Sequence, residues 1–324
     1  MRNEKNRKNF RPAPSWLLAV LAAVLLMSCA SAPRMPAPAD NEPPELFLLP
    51  AGGSVYLWAD AAEARPLLEA VAPLDSSGRS LAMMLDRTNT AAVAVFEEGQ
   101  DRRFFLAAAG RYPRRRANFA LSAVRGWEMR RGFDRKIYWR ADDSDITLAL
   151  GRNLALVSNL DPFDNDDRET PPHTFAEFRR GMAVAGWVND SSPRVNTLME
   201  TLGIPIQIPA EDLFFGAARA PAAANGLDWD LAFRIRTPSE THARSLLALF
   251  STARFFVQMG ASAGAGGQDR FLTEDGFLDV QEVAMLFFAN VPQQDGAFLT
   301  LRMDSLDTGA IALLFSLFSV YSGE

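Results

Sequence analysis

The sequence predicts an α+β protein made of two tandem strand-helix-strand-strand-helix units, each extended by further antiparallel strands, with helices packed on one face of a twisted sheet. Three observations carry this expectation. Hydrophobic residues make up 48% of the 324-residue chain, and from Leu46 onward they are dense enough for one large core or two small ones. Short apolar runs come in pairs separated by turn residues, the mark of antiparallel hairpins. The order of elements also repeats: Trp58 and Trp187 lie 129 positions apart, and Pro113 and Pro238 lie 125 apart. The difference fits within loops between these anchors, so a duplication accounts for both spacings. Two ordinary stretches with the same element order remain the simpler alternative.

In chain order, Val55–Trp58 reads as a strand, and Asp60-Ala61-Ala62-Glu63 opens a helix to Val71 through a capping box. Thr90–Phe96 and Phe104–Gly110 form a hairpin whose tip holds Glu97-Glu98-Gly99. Arg111-Tyr112-Pro113 leads into a helix that uses Phe119, Leu121 and Val124 as its apolar positions. Strands at Lys136–Arg140, Ile146–Leu150 and Leu154–Ser158 follow, divided by Asp142-Asp143-Ser144-Asp145 and Gly151-Arg152-Asn153 turns. The second unit opens with a strand at Met182–Val188, and Asn189 to Ser192 with Pro193 start its helix. Leu213–Arg219 pairs with Leu231–Arg236, Arg236-Thr237-Pro238 leads into a helix through Leu246, Leu247 and Phe250, and strands follow at Phe277–Asn290 and Gly296–Met303. A last helix begins at an Asp304-Ser305 cap and runs through Val320.

The domain organisation expected is a signal segment at 1–28, a tether at 29–45, and units at 46–165 and 166–324. Arg2, Lys5, Arg7, Lys8 and Arg11 precede an apolar run from Trp16 to Met27, too short for a bilayer span but suited to an export signal. It ends in Leu26-Met27-Ser28-Cys29, and Cys29 is the one cysteine of the chain. In these residues the sequence resembles bacterial lipoproteins, a class cleaved before an invariant cysteine whose thiol receives a diacylglyceryl group. The resemblance implies that Cys29 is lipidated and that the protein is exported and held on a membrane. Ala30 after the cysteine points to the outer membrane on the class's sorting rule, with the periplasmic side of the inner membrane as the alternative. Met27 departs from the small residue usual there, and cleavage after Ala30 or Ala32 to a soluble product is the competing outcome. Lipidation would consume the only thiol, so no disulfide within the chain would support the fold. Pro33, Pro36, Pro38, Pro43 and Pro44 favour an extended tether reaching up to ~45 Å from the lipid.

Motifs that resemble chemistry fail on context. Gly260-Ala261-Ser262-Ala263-Gly264 has the spacing of a serine-hydrolase elbow, but a helical pattern precedes it, a glycine loop follows, and His173 and His242 both come before it. The same glycines lack the Gly-Lys-Ser/Thr ending of a phosphate loop. His173, read as part of a connector after Pro171-Pro172, and His242, on a helix, offer no transition-metal spacing. Asp161, Asp164, Asp166, Asp167 and Glu169 lack the alternation that surrounds calcium and read as a solvated linker. Glu97 and Glu98 read as a turn. No enzyme activity, metal or cofactor is therefore expected, with a hydrolase as the lowest alternative.

Charge divides the chain. Residues 101–140 hold twelve basic and three acidic side chains, whereas residues 141–324 hold twelve basic and twenty-five acidic ones. A solvated face accounts for the arginines simply; as a binding surface they suit anionic lipid headgroups or acidic glycans, and Trp127, Tyr138 and Trp139 among them suit an interface. Nucleic acid is not expected at an exported location, and no motif names a protein partner. Leu246–Met259 and Ala310–Val320 are apolar almost all round, which fits core helices, an acyl-chain cavity or shallow membrane contact. The combined expectation is a non-enzymatic, lipid-anchored binding or envelope-structural module, with a carrier of lipid or another hydrophobic ligand as its alternative.

Overall fold

The computed structural model describes residues 45–71, 85–98, 101–123, 126–131, 137–142, 145–151, 153–160, 172–193, 207–220, 228–262, 270–273, 276–279 and 289–308, with 196 and 311. The signal, Cys29, most of the tether, the acidic stretch 161–169 and most of the last helix lie outside these residues. The elements are β1 (Val55–Asp60), α1 (Arg65–Val71), β2 (Thr88–Glu98), β3 (Asp101–Gly110), α2 (Arg114–Ala123), β4 (Trp127–Arg131), β5 (Ile137–Ala141), β6 (Thr147–Leu150) and β7 (Leu154–Ser158). They continue as α3 (His173–Phe178), β8 (Val184–Asn189), β9 (Asp212–Arg219), β10 (Trp229–Arg236), α4 (Glu240–Ser262), β11 (Arg270–Thr273), β12 (Gly276–Asp279), β13 (Gln293–Asp295) and β14 (Phe298–Leu306). A 3-10 turn, Leu46–Leu48, precedes β1.

Twelve strands form one sheet in the order β13-β14-β10-β9-β8-β1-β2-β3-β7-β6-β5-β4, and β11 with β12 makes a separate ribbon. Every ladder is antiparallel. The halves of the chain meet at β1 and β8, where Tyr56 lies opposite Trp187 and Leu57 opposite Gly186. Outward from this seam the sheet adds β2, β3 and β7 on one side and β9, β10 and β14 on the other. A Cβ at Gly186 would overlap the Phe215 ring and the Leu57 side chain, so glycine permits the close approach at the seam.

Helices pack on both faces of the sheet, which corrects the one-face expectation. On one face, Leu46, Leu49 and the α3 residue Phe175 cover Tyr56, Trp58, Phe105, Trp187 and Phe214. Tyr56 stacks on Trp187 with centroids 4.2 Å apart and planes within 8°, and Phe175 meets the same indole at 4.4 Å. On the other face, Ala64 and Leu67 beside α1, together with Ile311, cover Val184, Ala217, Trp229 and Met303, while Ala117 and Leu121 of α2 cover Trp139 and Leu148. The cause is visible in β8, where Val184 through Val188 are all buried: a strand apolar on both sides requires cover on both.

Local departures have local reasons. Asp60 Oδ1 accepts from the Ala62 and Glu63 N–H groups at 2.8 and 3.1 Å, as an N-cap does. Yet β1 extends through Asp60, whose own N–H donates to Ala183 O, so α1 begins later and the reciprocal Glu63 bond of a capping box is not made. Asp304 and Ser305 lie inside β14 rather than at a helix cap, because pairing with β10 continues to Leu306; the Ile311 N–H donates instead to Asp307 O. Of the long strand expected at Phe277–Asn290, Phe277 to Asp279 lie in β12, paired with β11 outside the main sheet, while Ala289 and Asn290 are not in a strand.

Candidate functional site

At one end of the sheet, α2 and β4 form a basic, partly apolar surface. Pro113 precedes α2, where a missing N–H costs nothing. Ala117 and Leu121 of the helix are buried against the sheet, and Asn118 Oδ1 accepts a 3.0 Å hydrogen bond from Trp139 Nε1. Gly126, at φ +95, makes the turn into β4. Trp127 packs into the cluster of Ala117 and Leu121, so alternation directs Met129 and Arg131 to the same face as α2 and sends Glu128 and Arg130 to the opposite one. The Asp142 N–H donates to Gly126 O and fastens the turn.

α2 buries Ala117 and Leu121, whereas β4 half-buries Trp127 alone and exposes the rest of its length. Phe119 is 76% exposed and Met129 49% exposed. Arg114, Arg115, Arg116, Arg130 and Arg131 are exposed as well. Arg130 pairs with Glu128 at 2.9 Å, and that carboxylate holds its guanidinium above the usual range. Arg114, Arg115, Arg116 and Arg131 form no ion pair among the described residues. The first turn of α2 holds no acidic residue, so three guanidinium groups stand at the positive end of the helix dipole. Phe119 was expected in the core; the sheet instead receives Ala117, whose small side chain lets the helix approach closely.

A second cluster joins the tether to the fold. Glu45 is fully buried; its Oε1 accepts from Trp58 Nε1 at 3.3 Å, and its Oε2 accepts no hydrogen bond among the described residues. The Arg179 guanidinium lies 4.4 Å from the centroid of the Trp58 ring. Tyr56 OH donates to Pro50 O at 3.2 Å and accepts from the Gly53 N–H at 2.7 Å, completing a strap of residues 45–50 over the aromatic core. On the other face, burial pushes the Tyr112 phenol up to about 12, against a lowering hydrogen bond from Thr88, with a smaller push from Glu45.

The residues singled out for chemistry do not converge. His173 begins α3 rather than lying in a connector, and its Nδ1 is 3.7 Å from Glu177. His242 lies on α4 with Nδ1 2.8 Å from Ser239 Oγ. Ser262 ends α4, so helix and not strand precedes the glycine loop. Glu97 and Glu98 end β2 at the hairpin, opposite Arg102 and Asp101 in register. Among the described residues no group of three or more His, Cys, Asp or Glu is placed to hold a metal ion, and no helix is long and apolar enough to cross a membrane. The excess of arginine over residues 101–140 marked this basic face in the sequence, but strand β4 and the exposure of Phe119 were not expected; the alternation Trp127-Glu128-Met129-Arg130 was the signal for the strand.

The signal-like segment ending at Cys29 and a body of mixed structure, dominated by one large antiparallel sheet with few helices, fit the class of envelope lipoproteins. Comparison with known proteins agrees. Residues 43–164 match the family model for TP0453, an outer membrane-associated lipoprotein, in keeping with the localisation read from Cys29 and Ala30. Three crystal forms of TP0453 share the fold. Form III has 14% identity and a TM-score of 0.53, covering 86% of this chain and 100% of that one. Form IV has 13% identity and a TM-score of 0.53 over 84% and 96% of the two chains, and form I has 14% and 0.53 over 87% and 99%. No curated protein matches the sequence.

Proposed function

We propose that this chain is a non-enzymatic binding or structural module of the cell envelope, held at the outer membrane by lipid on Cys29, and that the α2–β4 surface is where it meets an anionic partner. The observation that carries the reading is that Arg115, Arg116 and Arg131, without an ion pair among the described residues, are exposed on α2 and β4 together with Phe119 and Met129. Anionic lipid headgroups and acidic glycans are both chemically suited to such a face. The reading also takes the body as a duplicated unit, supported by the matching strand order on the two sides of the β1–β8 seam. The test is binding of the anchor-free Cys29→Ser mature chain to purified outer-membrane fragments. Binding that weakens with salt and is lost in Arg115→Glu/Arg116→Glu/Arg131→Glu is expected; binding indifferent to these changes would overturn the assignment of the surface.

A second reading, a carrier for lipid or another hydrophobic ligand, draws on α4, which presents Leu249 and Phe255 to solvent. Native mass spectrometry of detergent-free protein separates the two. Discrete adducts that vanish on unfolding would favour the carrier, and a single clean protein mass would favour the binding module.

A further inference from the structure

We propose that the outer edge of β4 accepts an extended acidic segment of an envelope protein as an added antiparallel strand. This rests on reading the α2–β4 surface as a binding face, and it names the partner and the mode. β4 is the last strand of the sheet, and none of the described residues pairs with its outer edge. In an antiparallel ladder alternate residues direct their N–H and C=O groups away from the neighbouring strand, so β4 carries a row of main-chain donors and acceptors that no strand among the described residues satisfies. Another strand is the ligand that satisfies such a row, as in recognition by strand addition.

The side chains select which strand. Arg131 and Met129 stand on the α2 side of the sheet, and Arg130 stands on the other. A planar membrane surface reaches one side of a sheet, whereas an added strand sends successive side chains to both. On the far flank Arg130 is already paired with Glu128, so the spare positive charge lies on the α2 side; it is the open main-chain row, which a bilayer cannot pair, that points to an extended polypeptide. The turn at Gly126 reverses the chain, which places Arg114 to Arg116 of α2 and Arg131 of β4 toward the same end of the pair. Carboxylates on that side of the incoming strand would neutralise cations that α2 holds against its own dipole, and an apolar residue two positions along would meet Met129.

The test uses the full lipidated chain in neutral-lipid nanodiscs and a fluorescent peptide of alternating glutamate and valine, followed by anisotropy. Saturable binding that weakens with added salt is expected. N-methylation of alternate peptide amides, which removes donors and leaves charge unchanged, is expected to weaken it by about tenfold or more. Arg131→Glu with Arg115→Glu is expected to do the same, while Arg131→Lys with Arg115→Lys retains binding, which also reports that the surface is folded. Absence of saturable binding overturns the proposal. Equal binding of the N-methylated peptide overturns strand addition but, if charge reversal still abolishes it, leaves the anionic-partner reading standing. Displacement of the peptide by phosphatidylglycerol vesicles, lost on the same charge reversal, would make this a membrane face instead and overturn the proposal. Indifference to charge reversal would sink both readings.

Discussion

Trp58→Phe tests a buried carboxyl that is only partly satisfied among the described residues. The indole N–H of Trp58 is the hydrogen-bond donor to the fully buried Glu45 carboxyl, and the other Glu45 oxygen accepts no bond among the described residues. Phenylalanine keeps a ring beneath the Arg179 guanidinium but withdraws that donor. The lost bond leaves a buried acceptor unsatisfied, which costs about 1–3 kcal/mol and more for a charged group; the smaller ring adds a packing loss of roughly 1 kcal/mol. The total expected is therefore about 2–4 kcal/mol. Glu45→Leu removes the polar group altogether, and in that background Trp58→Phe should cost only its packing share, so the double-mutant cycle should show a coupling of about 1–3 kcal/mol. Urea unfolding of the anchor-free mature chain, followed by near-UV circular dichroism, supplies the four free energies. Equal costs of Trp58→Phe with and without Glu45 would show that the carboxyl draws nothing from the indole, and the account of the strap would be wrong.

Other outcomes follow from the same physical reading. Cys29→Ser should move the protein from the membrane to the soluble fraction while leaving its unfolding midpoint unchanged; a variant that stays membrane-bound would contradict the lipid anchor. Trp187→Ala removes a fully buried indole stacked on Tyr56 and hydrogen-bonded to Asn189, and should cost about 3–5 kcal/mol in urea unfolding; a harmless substitution would also weaken the case for a duplicated unit. Tyr112 titrates at about 12 in the fold and near 10 when unfolded. The native state thus keeps a proton that the unfolded chain loses, so this contribution is full below about pH 10 and disappears as pH rises through the folded value. Stability should fall by on the order of 2 kcal/mol across that window, and Tyr112→Phe should flatten the fall; identical slopes for both proteins would refute the assignment.

The hairpins β2–β3 and β9–β10 were legible because their residues alternate and their ends carry turn signals. The one-face arrangement of helices was misread, although the unbroken apolar run Val184 to Val188 already asked for cover on both sides. β4 escaped notice because this edge strand turns only one half-buried residue, Trp127, toward the core, and arginines hide the alternation around it. α3 was concealed by Pro171-Pro172, which read as a connector although Pro172 occupies the position before the first helical turn. Phe119 was assigned inward by size, but helix-to-sheet distance rewards Ala117 instead. The buried Glu45 had no sequence signal at all, since it belongs by composition to the tether.

The seam between β1 and β8 also governs how the chain can come to its fold. Val55 pairs with Val188, so the first strand waits for the middle of the sequence before its second edge is covered. Contacts this distant close slowly, because a long loop must be ordered before any ladder bond offsets the lost entropy. A chain emerging from an export channel N-terminus first would hold β1 with one edge open throughout that interval, and a chain interrupted before β8 would keep it open for good. An open central strand of this kind is the template on which incomplete chains would associate, so truncation before β8 should favour aggregation more than truncation after it.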